Sequence, residues 1–142
     1  MTRNQLLSAT ALLISMVSFA DTGVPASPQG SADGKVATGV WGGMHVEMNV
    51  QDQGATLEFD CARGTVPGPL TVNGKGEFRV RGSFFPEHGG PTRREENEGT
   101  PAIYSGTVTG DNMSLKLEIS GQPEGRSFEL KRGQNGRLMK CR

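Results

Sequence analysis

The chain holds two histidines, and each lies close to a carboxylate. In His45-Val46-Glu47 the imidazole and the carboxylate are two residues apart, which on an extended strand puts both on one face. Such a pair suits acid–base work or metal ligation, with a third ligand needed from a neighbouring strand. The same two residues would equally serve as a solvated outer face with ordinary cross-strand partners. The second place is Glu87-His88-Gly89-Gly90, followed by Arg93, Arg94, Glu95, Glu96 and Glu98. Its carboxylates could hold a cation, yet a run of mixed charge in water needs no ligand. An enzyme or a metal site would therefore rest on His45 or His88. No Ser or Cys nucleophile has a recognisable partner, and the glycines fall at turns, not in a phosphate-binding loop. The expectation is no catalytic residue, no bound metal and no cofactor.

Cys61 and Cys141 are the two cysteines of the chain. The start of the sequence bears on their state. A short basic stretch containing Arg3 precedes an apolar run over residues 6–19, and the small residues Ser18 and Ala20 stand three before and one before a cut after position 20. That order matches a secretory signal peptide. The run is shorter than the roughly 20 residues a spanning helix needs, so no stable membrane anchor is expected after cleavage. In a secreted or periplasmic protein the two cysteines are expected to form one disulfide. Closing a loop of about eighty residues would stabilise the fold by about 4 kcal/mol.

What must position these residues is a set of strands. Met44, Val46, Met48 and Val50 alternate with polar residues, and after Asp52-Gln53-Gly54 so do Ala55, Leu57, Phe59 and Cys61. This reads as two strands and a turn. A short third strand is expected at Leu70-Thr71-Val72, confined by Pro67 and Pro69 to an edge, with Asn73-Gly74 turning the chain. A fourth runs over 75–85 with Phe78, Val80, Gly82 and Phe84 on one face. Residues 86–101 form the longest irregular stretch, the kind of loop that often carries function. Ala102, Tyr104, Gly106 and Val108 mark a fifth strand, and Met113, Leu115, Leu117 and Ile119 a sixth. Phe128 and Leu130 mark a seventh, and residues 137–141 an eighth.

Eight short strands joined mostly by tight turns, with no helical pattern after the leader, predict an all-β antiparallel up-and-down barrel. The alternative is a two-sheet β-sandwich. Residues 1–20 are the signal peptide, 21–38 a Gly/Pro/Ser-rich flexible lead-in and 39–142 the barrel domain. An eight-stranded barrel is just wide enough to be filled or to hold one small ligand. Its inward aromatics point to a filled core. Strand parity puts Trp41 on the polar side, so a bulge at Gly42-Gly43 is expected to turn it inward as a plug.

Lys+Arg and Asp+Glu balance at 15 each, and loss of residues 1–20 removes one Arg and no acid, leaving a net of −1. That balance disfavours a nucleic-acid partner held by bulk charge. The chain reads as a secreted or periplasmic, non-enzymatic binding module for a small apolar molecule or a protein. Trp41, His45, Glu47, Glu87, His88, Arg93 and Arg94 are its candidate contact residues.

Gly39-Val40-Trp41, at the start of such a meander, resembles the Gly-x-Trp signature of calycin-type barrels, the lipocalins and avidins. The resemblance implies that Trp41 packs across a closed barrel end, under a basic residue of a late strand, here Arg132 or Lys131. The chain is similar as well to secreted bacterial inhibitors of metalloproteases: small single-disulfide barrels with a flexible N-terminal segment that enters the protease. Residues 21–38 would take that part if the chain is a periplasmic protease inhibitor.

Overall fold

A computed structural model describes residues 34–91, 93–94 and 98–141. The leader 1–20 and residues 21–33 of the lead-in lie outside them. Eight antiparallel strands close in chain order into a barrel: β1 Gly39–Gly43, β2 Val46–Gln51, β3 Gly54–Phe59, β4 Ala62–Pro67, β5 Glu77–Pro86, β6 Thr100–Thr109, β7 Asn112–Ile119 and β8 Arg126–Arg132. Closure comes from β1 pairing with β8 at Trp41↔Arg132, Gly42↔Lys131 and Gly43↔Leu130. The ring has no unpaired edge to invite another chain.

The expected first strand is a hairpin. Met44 and His45 form a two-residue turn between β1 and β2, so Met44 is exposed where alternation placed it inside. The turn also settles Trp41 without a bulge. Reversal at 44–45 pairs Trp41 with Met48, and both side chains face inward at 0 % exposure. Residues 62–67, left between the expected second and third strands, form β4, because Ala62, Gly64 and Val66 face inward while Arg63, Thr65 and Pro67 face out. Two stretches expected as strands are not staves of the barrel. Residues 70–72 contribute one isolated bridge, Thr71 to Lys35, and residues 137–141 one bridge, Arg137 to Met44. The count of eight holds because β1 and β4 replace them.

One hydrophobic cluster fills the interior. Trp41, Met48, Met113, Tyr104, Leu115 and Leu117 are fully buried, each such aliphatic or aromatic side chain contributing about 1.5–3 kcal/mol relative to exposure. Among the described residues no polar or charged residue other than the tyrosine is buried. One end is plugged by residues 34–38 lying against 70–72. Val36 N–H donates to the Leu70 carbonyl at 2.8 Å and Val72 N–H to Gly34 at 2.6 Å, and Val36 and Leu70 are buried. Beneath them the Trp41 indole N–H donates to the Ala37 carbonyl at 3.0 Å. Toward the other end Phe59 packs against Phe84 and Phe128 at centroid distances of 5.9 and 5.4 Å. The Arg126 guanidinium lies 6.0 Å from the Phe84 ring centroid.

After β8 the chain reverses and runs back along the outside of β1. Gly42 faces outward under Gln134 and Asn135, whose main chain occupies the space of any side chain there. Arg137 N–H donates to Gly43 and His45 N–H donates to the Arg137 carbonyl, both at 2.9 Å. The tail ends in the expected disulfide, Cys61–Cys141, with Cα atoms 5.2 Å apart.

Candidate functional site

The β2–β3 register carried one step past Val46↔Phe59 sets His45 opposite Asp60. Both belong to two-residue turns on one rim, His45 before β2 and Asp60 after β3. His45 Nδ1 and Asp60 Oδ2 are hydrogen-bonded at 2.6 Å. The other oxygen, Oδ1, accepts the Met139 amide at 2.7 Å, and the Asp60 carbonyl accepts the Cys141 amide at 3.2 Å. The Met139 bond, more than any neighbouring charge, holds the Asp60 carboxyl below its ordinary value; the His45 bond and the nearby His45 and Lys140 act the same way, against partial burial.

Glu47 turns elsewhere. It lies on the outer face of β2 and accepts the Gly136 amide at 2.7 Å. His45 and Glu47 thus diverge, and the acid–base pair suggested by their spacing does not form. Glu87 also meets the tail, its Oε2 lying 3.8 Å from Lys140 Nζ. That ammonium reaches Glu58 at 3.2 Å and donates to the Phe59 carbonyl at 3.2 Å. Three of the carboxylates and imidazoles singled out in the sequence, His45, Glu47 and Glu87, therefore meet at one structure, the C-terminal tail. Asp60, Met139 and Lys140 complete it.

Trp41 is not exposed for contact; it is core. Its cross-strand partner Arg132 places its guanidinium 3.8 Å from Asp111. His88, Arg93 and Arg94 are exposed on the loop after β5, and His88 Nδ1 lies 3.3 Å from the Gly89 carbonyl. Glu95 and Glu96 of that loop lie outside the described residues. Among the described residues no group of three or more His, Cys, Asp or Glu is placed to hold a metal ion.

A groove of about 480 Å³ runs outside the barrel between the tail and β8. Met44, Asn112, Glu129, Lys131, Gln134 and Arg137 line it. A second, of about 410 Å³, crosses the outer face of β5–β7 at Arg81, Ile103 and Glu118. The Lys116 ammonium at 3.0 Å, and then Arg79 at 3.2 Å, hold the Glu118 carboxyl below its ordinary value. No family model, no curated protein and no solved structure matches the chain.

Proposed function

We propose that the chain is an exported, calycin-like, non-enzymatic binding module that meets a protein partner through its outer surface. The filled interior carries this reading. Trp41 lies under a plug at one end, Phe59, Phe84 and Phe128 crowd toward the other, and Tyr104 fills the middle. A small apolar ligand would have to displace that packing, with a cost of several kcal/mol for each large side chain moved. The outside needs no rearrangement. The groove beside the tail offers Lys131, Arg137 and Glu129 around the exposed Met44, a polar surface with an apolar spot, as protein interfaces often have. Export is supported by the leader composition and by a disulfide that a reducing compartment would not favour.

The test compares wild-type protein with a Lys131→Glu/Arg137→Glu variant in capture from envelope extracts of the producing cells. A protein retained by the wild type and lost by an equally stable variant supports the surface reading. A small molecule retained one-to-one in the native mass spectrum would move the site into the barrel instead.

A further inference from the structure

Met44 and Met139 are the large apolar side chains left exposed among the described residues, at 52 % and 64 %. Both are on the rim that carries His45. Met44 precedes His45 in the turn and pairs with Arg137 of the tail. The Met139 amide and the His45 ring bind the two oxygens of the same Asp60 carboxylate. Exposed apolar side chains scattered singly need no explanation, but here one belongs to the chain neighbour of His45 and the other to the residue whose amide shares its carboxylate, so rotamer changes can bring both thioethers to one imidazole.

The imidazole is arranged for ligation. Nδ1–H donated to Asp60 leaves the lone pair of Nε2 free, and a carboxylate behind a ligating histidine fixes its tautomer and ring orientation. His45 also stands at φ +65°, the one non-glycine residue with positive φ among those described. Glycine or asparagine would hold that conformation at less cost, so the position makes sense if the ring itself is used.

We propose that Met44, His45 and Met139 bind a single soft monovalent cation, Cu(I), with Asp60 as the positioning residue behind His45. Thioether and imidazole donors favour Cu(I), whereas zinc is held by converging imidazole, thiolate and carboxylate groups, and no three of these converge among the described residues. Methionine has three rotatable bonds, so exposed thioethers can converge on Nε2 by changing rotamer, without moving the barrel. The site gains no net charge on the ligands, and the Asp60 carboxylate balances the ion. The inference does not depend on the surface-binding reading above.

Silver(I), a redox-inert stand-in, is added to oxidised protein free of titratable thiols, with the methionine methyls labelled for NMR. Met44, Met139 and the His45 ring are expected to shift together and saturate at one equivalent. The buried Met48 and Met113 act as internal controls and should stay in place. Competition with a chromophoric Cu(I) chelator under ascorbate then gives the affinity. Met44→Leu/Met139→Leu, whose side chains are exposed, should melt as the wild type does and lose the first equivalent. Asp60→Asn should weaken binding about 10–100-fold. Zn(II) should cause no shift. The proposal is overturned by absence of methyl shifts, by movement of only one of the two methionines, or by unchanged Cu(I) affinity in the double variant.

Discussion

The Tyr104 hydroxyl occupies the space that a side chain on Gly64 would need. Tyr104 of β6 reaches across the barrel toward β4, and its O–H donates to the Ser83 carbonyl at 2.9 Å. A Cβ on Gly82 would meet the same ring at 2.9 Å. The two glycines therefore make room for one aromatic ring. Gly64→Ala should cost about 1–3 kcal/mol, the usual penalty for overpacking. Tyr104→Phe removes the hydroxyl and should cost about 1 kcal/mol for the lost bond. Combined, the two should cost less than their sum, because removing the hydroxyl relieves the closest clash and leaves the new methyl only the tight 3.1 Å contact with the ring carbon. Chemical denaturation of the four proteins reads the coupling.

Tyr104 is the single tyrosine of the chain, so absorbance near 295 nm reads it alone. Burial raises its phenol far above the ordinary 10.0. A raised folded value means that the neutral phenol is favoured by folding. The stabilisation is fully present below pH 10 and falls as pH rises beyond it. In native protein the tyrosinate band should stay absent well above pH 10 and emerge together with loss of the fold. Ionisation near pH 10 in folded protein would contradict the burial.

The strands with large alternating side chains were legible. Phe78, Val80 and Phe84 of β5, Tyr104 of β6 and Met113 to Ile119 of β7 all face the side that alternation assigns them. The turn at Met44-His45 was hidden because neither is a turn-forming type and Met44 is in phase with Val46. β4 was hidden because Gly64 and Ala62 have little apolar bulk, and the reason Gly64 carries no side chain is Tyr104, forty residues away. Asp60, Met139 and Lys140 owe their roles to the path of the tail, which no local pattern encodes. The one signal pointing to them was the cysteine pair, since joining Cys61 to Cys141 must bring their neighbours together.

Gly42 tests the tail without touching the core. A side chain there would meet the backbone of Gln134 and Asn135. Gly42→Ala should lift that segment and free the Gly136 and Met139 amides from Glu47 and Asp60. Their hydrogen exchange should speed up markedly, while amides of β6 and β7 keep the protection of the wild type. Equal acceleration throughout would mean that the tail and the barrel unfold as one unit.

The disulfide closes a sequence separation of 80 residues, so reduction should remove about 4 kcal/mol of stability through the entropy of the unfolded chain. For a domain of about a hundred residues that corresponds to a melting temperature lower by roughly 15 °C or more. The barrel itself closes through β1 and β8, not through the bridge. The reduced protein, and Cys61→Ser/Cys141→Ser, should therefore keep the all-β circular dichroism of the oxidised form below its lower transition. Loss of β-structure at room temperature on reduction would show that β1–β8 pairing alone cannot hold the ring. An unchanged melting temperature would show that the tail contacts, with Asp60 at their centre, already constrain the chain as tightly as the covalent link.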